Sequence, residues 1–319
     1  MNASGTGPRL VVVTGASSGI GRATAHRLAG RGDHVVLMSR SLKPLRETAA
    51  ECLGVGAASA KALSVDVTDA AAVAAAFDAV RDERGRIDAV VQSAGVAAYG
   101  RFDQVPAEVF EGVICTNVFG AANVARSSLP AMRQANHGTI VIVGSVIGSI
   151  AVPQMSAYAI SKWALRSLAR ELQIENRDRK GVRICAVSPG GVDTPIYRQA
   201  ANYQGYVGRP PPPVYSPERV AGVVIRTIDR PRNRVDAGFA NPLMALGFTL
   251  LPKVYDALVG PLFAVAATDD ELVTPHAGNV REANDYWHQL RGEQGSSAVA
   301  IAKALRRRAA SLVPELVNR

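Results

Sequence analysis

The sequence predicts an α/β protein, a doubly wound parallel sheet between two layers of helices with a helical extension at the carboxyl end. Three observations carry this prediction. Short continuous apolar runs of strand length recur through residues 1–240, as expected of strands buried on both faces of a parallel sheet. Stretches of helical period alternate with them. The first run closes in a glycine-rich turn that opens a helix, the context in which backbone amides can meet a phosphate group.

The chain of 319 residues, 48% of them hydrophobic, can bury one large core with an appendage. Its 36 Lys and Arg against 27 Asp and Glu give a net charge of +9, which suits an acidic partner. Nucleic acid is not expected, because the basic residues are scattered, aromatic residues make up only 5%, and neither zinc-finger spacing nor an aromatic RNA-binding motif is present. A phosphorylated cofactor or an anionic membrane face remain as acidic partners. Cys52, Cys115 and Cys185 lie far apart among apolar or small neighbours and read as reduced core thiols of a cytoplasmic protein. Met1–Arg9 lacks the charged start and apolar core of a signal peptide, so export is not expected. No metal is expected.

The elements follow in order. Leu10–Val13 is the first strand, Thr14-Gly15-Ala16-Ser17-Ser18-Gly19-Ile20-Gly21 the turn, and Arg22–Arg31 a helix with Ala25, Leu28 and Ala29 on one face. Gly15 and Gly19 allow backbone amides to approach a pyrophosphate, and Gly21 allows the helix to pack closely on the strand. His34–Ser39 is the second strand and ends at Arg40, where a 2′-phosphate would need a cation and a plain ribose an acid. Arg40 therefore favours NADP over NAD; a solvated arginine at a strand end is the competing reading. Ser18 offers no second cation for that phosphate.

Lys43–Leu53 suits a helix, Ala62–Val67 a strand, Ala70–Arg84 a helix and Ile87–Ser93 a strand. Asp66, closing the third strand beside Val67, can accept from an adenine amino group, or Asp66 or Asp69 can cap the next helix. Ser93, Ala94 and Gly95 are small enough for backbone to pass close to a cofactor. Pro106 opens a helical stretch through Met132 with Asn117 in its middle. Gly138–Ser145 is a strand, Gln154–Asn176 a helix and Val182–Ser188 a strand. Ligand sites in such a sheet lie at the carboxyl ends of the strands.

Thr14–Gly21, Gln92–Gly95, Asn117, Ser145, Tyr158 with Lys162, and Pro189-Gly190-Gly191-Val192-Asp193-Thr194-Pro195 together resemble the short-chain dehydrogenase/reductase family, in its order and spacing, over roughly the first 240 residues. The resemblance implies a Rossmann-type three-layer α/β/α sheet, a nicotinamide cofactor, and a homodimer or homotetramer built on long helices. Gln92-Ser93 departs from the pair of asparagines common at that place, which puts one turn-stabilising hydrogen bond in question.

Tyr158 and Lys162, four apart, project from one helix face. An ammonium beside a phenol is expected to lower the phenol's pKa toward working pH, so that Tyr158 acts as general acid or base. By resemblance, Lys162 also bonds the nicotinamide ribose. Ser145, at a strand end, can hold a substrate carbonyl oxygen, or cap a turn. Asn117 is poor helix chemistry unless its amide has a task; by resemblance it supports a water that relays protons to the lysine, and a satisfied core amide is the other reading. The expected cofactor contacts are Gly15, Ser17, Ser18, Gly19, Ile20 and Gly21, then Arg40, Asp66 and Val67, then Ser93, Ala94 and Gly95. Tyr158 and Lys162 join them, as do Pro189, Gly190, Val192 and Thr194.

Residues 196–215, rich in Gly, Tyr, Gln and Pro and without helical or strand period, suit a substrate lid or a surface loop. Ser216-Pro217 begins a capped helix to Asp229, and Arg234–Phe239 is the last strand. A catalytic domain over 1–240 thus leaves an extension over 241–319, expected to be helical and packed on it. Leu243–Ala267 is apolar but broken by Pro252, Lys253, Asp256 and Pro261, so two short helices are expected rather than a membrane span. They could cover the substrate pocket, form an oligomer interface or rest on a membrane. Ala298–Val313 reads as a basic amphipathic helix, suited to a solvated surface or to peripheral contact with an anionic membrane.

The function expected is an NADP(H)-dependent ketone reductase or alcohol dehydrogenase for a largely apolar small-molecule substrate, since Val96, Ala97, Ala98, Val146, Ile147 and Met155 adjoin the site. A cofactor-binding regulator or a membrane-surface scaffold on the same fold is the alternative.

Overall fold

The computed structural model describes residues 7–284, 286–296, 299 and 301–303. Seven parallel strands form the central sheet: β1 (Leu10–Thr14), β2 (His34–Ser39), β3 (Ser59–Ser64), β4 (Ala89–Gln92), β5 (Gly138–Val143), β6 (Val182–Pro189) and β7 (Arg234–Ala237). Their order is β7-β6-β5-β4-β1-β2-β3. The chain winds outward in both directions from β1 and β4, and the crevice between their carboxyl ends is the switch point where such sheets bind ligands.

The sheet is covered by α1 (Gly19–Ala29), α2 (Leu42–Gly54), α3 (Ala70–Arg84), α4 (Ala107–Ile114), α5 (Gly120–Ala135), α6 (Ser156–Glu175) and α7 (Pro217–Asp229). β1 shows why its strand is apolar throughout. Val11 and Val13 enter one core with Leu28 of α1, Leu45 of α2 and Val224 of α7. Leu10 and Val12 enter the opposite core with Phe77 of α3, Val124 of α5 and Leu165 of α6. Alternate side chains face opposite sheet surfaces, so two buried faces demand an unbroken apolar run.

The structure departs from the sequence reading in four places. The third strand ends at Ser64 rather than Val67, so Asp66 stands in the turn beyond it, while Asp69 caps α3 by accepting from Ala72 N at 2.9 Å. The helix expected through Asn117 is continuous, but Cys115–Phe119 makes a π turn between α4 and α5; such turns cluster at functional positions because they re-aim side chains and free backbone groups.

The segment 196–215 is not structureless. It holds a short helix, Ile196–Gln199, and short strands at Ala201–Asn202, Tyr206–Gly208 and Val214–Tyr215, with Ala200, Ala201, Asn202 and Arg209 buried. Long-range pairing, which no local period reveals, orders it: Ala201–Asn202 pairs with Ala98–Tyr99, and Tyr206–Gly208 with Thr268–Leu272.

The extension is only partly helical. α8 (Asn241–Leu250) and α9 (Pro252–Ala266) form the two expected short helices, followed by the strand Thr268–Leu272 and, over the described residues 273–284 and 286–296, by irregular structure. No helix among the described residues is long and apolar enough to cross a membrane. The basic helix expected over Ala298–Val313 lies almost wholly outside the described residues.

Candidate active site

β1 and β4 end side by side, and the turn after β1 must pass against the backbone after β4. Gly15 adopts φ +64°, and a Cβ there would lie 2.7 Å from Ala94 N. At Gly21 a Cβ would lie 2.2 Å from Gly15 O, so only glycine lets α1 start this close to the turn. Gln92 does what the usual asparagines were expected to do: its Oε1 accepts the Thr14 hydroxyl and its Nε2 donates to Ala94 O at 3.3 Å. Thr14 Oγ1 in turn accepts from Ser93 N and Ala94 N, each at 3.2 Å.

These turns form the floor of one cavity of about 1060 Å³, open solvent included, that runs from Arg40 and Asp66 to Tyr158 and Lys162. Gly15, Ser17, Ser18, Gly19 and Ile20 line it, with Val67, Ser93, Ala94, Gly95 and Thr194. Gly21, Pro189, Gly190 and Val192 do not line it. Gly21 serves helix packing, and Gly190 faces Asn241 at the root of α8, whose Nδ2 donates to Ser188 O at 2.8 Å.

At the inner end, Ser145 follows β5 and starts a 3-10 turn, its Oγ accepting from Ile147 N at 3.2 Å. The same hydroxyl bonds the Tyr158 phenol, which α6 presents in its first turn. Lys162, one helical turn on, is buried; its Nζ donates to Val143 O at 3.3 Å and lies 5.4 Å from the centre of the Tyr158 ring.

Burial overturns the expected titration. Withdrawal from water pushes the Tyr158 phenol up to about 12, with only the Ser145 bond pulling it down. The same burial brings Lys162 down to about 8. Desolvation opposes both charged forms at once, so the neighbouring ammonium does not bring the phenol toward neutrality.

Asn117 is fully buried at the π turn. Its Oδ1 accepts from Val96 N at 2.8 Å, and its Nδ2 donates to Val96 O at 2.9 Å and Ser161 Oγ at 2.8 Å. The side chain is a satisfied core amide that fixes the strand following Gly95.

At the outer end, Arg40 lines the cavity beside Asp66 and donates through Nη2 to Asn279 O at 2.6 Å. Burial lowers its pKa, and Asp66 opposes the fall. Asp66 Oδ1 accepts from Thr68 N at 2.9 Å and Thr68 Oγ1 at 2.8 Å, shaping the turn. Sequence reasoning missed Asn279, Ala283, Asn284 and His288, which line the same cavity from the extension. No local pattern marks them; they arrive through tertiary contact.

Beside Tyr158, Ala97, Tyr99, Met155 and Ala200 form a buried apolar cluster with Ile147, Val152, Tyr158, Ile196, Tyr197 and Phe263 packed against it. Of the apolar residues expected here, Ala97, Ile147 and Met155 belong to this cluster, and Phe263 brings α9 into the wall.

A family model described as short chain dehydrogenase matches residues 9–204. The chain is 34% identical over 183 residues to 2-(S)-hydroxypropyl-CoM dehydrogenase 3 of Xanthobacter autotrophicus, covering 57% of this chain and 71% of that protein. Among solved structures, it resembles an alcohol dehydrogenase of the archaeon Thermococcus sibiricus complexed with 5-hydroxy-NADP (TM-score 0.63, 27% identity, 72% of this chain and 95% of that one). It also resembles a metagenomic short-chain oxidoreductase in complex with NADP (TM-score 0.61, 28% identity, 71% and 95%).

Proposed function

The chain belongs to the short-chain dehydrogenase family of oxidoreductases, and from that premise we propose that it transfers hydride between NADP(H) and the carbonyl or alcohol carbon of a largely apolar small molecule. The observation that carries the proposal is the Ser145–Tyr158–Lys162 arrangement at the inner end of a cleft whose glycines leave room only for backbone and ligand. A nicotinamide dinucleotide, when bound, supplies or accepts the hydride. The chain's own residues supply the rest.

Tyr158 stays protonated at neutral pH and so is ready to donate to a carbonyl oxygen in reduction. Ser145, already bonded to that phenol, can hold the same oxygen and stabilise its developing charge. Lys162 keeps a cation at the buried end of the cleft and orients the ribose. Any proton relay through Asn117 falls to its main chain in the π turn, because its side chain is committed to Val96 and Ser161.

Arg40 at the end of β2 supports NADP over NAD, as do the NADP complexes among the similar structures. The apolar cluster around Tyr158 supports an apolar substrate. Replacing Tyr158 with Phe and following NADPH consumption over a panel of ketones tests the proposal. The expected result is loss of turnover with NADPH binding retained; undiminished turnover overturns the mechanism. A cofactor-binding regulator would need the cleft but not the Ser145, Tyr158 and Lys162 set, so it is the weaker reading.

Peripheral contact with a lipid surface is a second reading, favoured by one observation. Leu243, Leu246, Leu250, Leu251, Val254, Leu258 and Leu262 of the α8–α9 hairpin are all exposed, and no residue of α9 is buried. An exposed apolar face of this extent ordinarily has something covering it. Co-sedimentation of the full chain with phospholipid vesicles is the test, with Leu246→Glu/Leu258→Glu as the variant expected to stay in the supernatant. A homodimer or homotetramer completes the proposal on the family resemblance, and a cytoplasmic location on the free thiols of Cys52, Cys115 and Cys185.

A further inference from the structure

Part of the outer wall of the cleft, Asn279, Ala283, Asn284 and His288, comes from residues 277–284 and 286–294, beyond the stretch that the family model matches. These two runs are fastened on three sides of the cavity mouth. On the β2 side, Arg40 Nη2 donates to Asn279 O at 2.6 Å and Ser41 Oγ to Asn284 O at 3.0 Å. On the α1 side, Gly19 N donates to Gln289 O at 3.2 Å and Arg22 Nη1 to His288 O at 2.6 Å. Beyond β6, Gln199 Nε2 donates to Trp287 O at 2.8 Å, Gly292 N to Asp193 Oδ1 at 3.1 Å and Gln294 Nε2 to Thr194 O at 3.1 Å.

The root is buried. Val280 is 2% exposed and packs on Gly112, where a Cβ would lie 2.6 Å from its Cγ1. An ion pair clasps the far end, Arg291 Nη2 to Glu218 Oε1 at 2.9 Å. Between root and clasp, Asn284 and His288 line the same cavity as Gly15, Arg40 and Tyr158. His288 Nε2 donates to Asn284 O, so in the neutral ring Nδ1 accepts the Ser17 hydroxyl across 3.1 Å; the partners assign this tautomer.

We propose that this segment is a working part of the dinucleotide site. It straps over the adenosine end, with Asn279 positioning Arg40 and His288 positioning Ser17, so that dinucleotide enters and leaves as the strap lifts and each stabilises the other when docked. The inference rests on the proposed dinucleotide reading and extends it to residues of the extension. Coupling must be reciprocal: a ligand held by the docked strap holds the strap in return.

The test uses the full-length chain and two probes, NADPH and NADH. Binding and release are followed by nucleotide fluorescence, and strap opening by amide hydrogen exchange at Gly292, with and without nucleotide. NADPH is expected to slow exchange at Gly292. The double variant Arg291→Ala/Gln294→Ala, which removes the ion pair to Glu218 and the bond to Thr194 O while replacing no residue that lines the cavity, is expected to release nucleotide about tenfold faster. His288→Ala is expected to weaken binding about fivefold, and His288→Asn, whose amide can reproduce the Nδ1 contact with Ser17, to restore it.

Unchanged release in the double variant, with Gly292 exchange indifferent to nucleotide, overturns the strap. Tighter binding in the double variant also overturns it, since the segment would then be a competitor of the ligand. Tighter binding of NADH than NADPH by the parent chain refutes the reading of Arg40 but leaves the strap to be judged on NADH. Binding of neither nucleotide overturns both.

Discussion

Lys162 Nζ sits 5.4 Å from the centre of the Tyr158 ring and donates a hydrogen bond of 3.3 Å to the Val143 carbonyl, with Lys162 buried and Tyr158 half-buried in the lining of the cleft. The pair is thus held by geometry and set apart by burial, with the amine shifted down and the phenol up.

The pH dependence follows from that opposition. Lys162 loses its charge as pH rises through about 8, whereas Tyr158 keeps its proton to about 12. Carbonyl reduction should therefore decline above pH 8 through loss of the cation rather than of the acid. A kcat/KM profile of Lys162→Met, active or residual, should lack that limb. Stability gives an independent readout. The unfolded chain holds its lysine proton to a higher pH than the folded chain does, so unfolding free energy should rise between about 8 and 10.5. Tyr158 reverses the sign at higher pH: the folded chain keeps the phenol proton longer, and stability should fall between about 10 and 12. Urea titrations across pH check both limbs, and Lys162→Met should abolish the first.

Arg40 tests the nucleotide preference. Arg40→Ala should raise the NADPH Kd about tenfold more than the NADH Kd, because a guanidinium in a fixed fork suits a phosphate better than a ribose hydroxyl. Calorimetric titration with both nucleotides measures it; equal losses would mean that the arginine only anchors Asn279.

Gly15 tests the floor of the cleft. Gly15→Ala combines a positive φ with a Cβ 2.7 Å from Ala94 N, so the backbone after β4 must move. A loss of about 2 kcal/mol or more in urea unfolding is expected, together with loss of nucleotide binding.

Asn117 separates structure from chemistry. Asn117→Ala would strand the buried amide and carbonyl of Val96, a cost of about 2 to 4 kcal/mol in unfolding free energy. Thermal melts of the variant check this without any reference to turnover.

Much of the sheet and the inner site could be read along the chain, because both rest on local signals. Strand β2 was legible to the residue from its apolar run, α3 from its alanine-rich stretch and α7 from its Ser216-Pro217 cap. Ser145, Tyr158 and Lys162 lie within one strand-turn-helix unit, so their meeting follows from spacing alone. Where contact crosses the chain, the signal vanished. The order in 196–215 depends on pairing with Ala98–Tyr99 and Thr268–Leu272, and Asn279 reaches Arg40 from 239 positions away. The titration of Tyr158 escapes the sequence for a similar reason: spacing displays the neighbouring amine but not the desolvation that the fold imposes on both groups.

The bond from Gly19 N to Gln289 O ties the turn after the first strand of the sheet to a segment translated after all seven strands. A chain emerging from the ribosome can pair all seven strands once Ala237 has cleared it, since β7 completes the sheet. Its nucleotide cleft stays open on one side until Asn279, Asn284 and His288 arrive. At about 5 to 20 residues per second, that leaves several seconds in which a folded sheet presents an unfinished site to the cell. A part translated after the sheet is complete is the part that closes the first glycine turn.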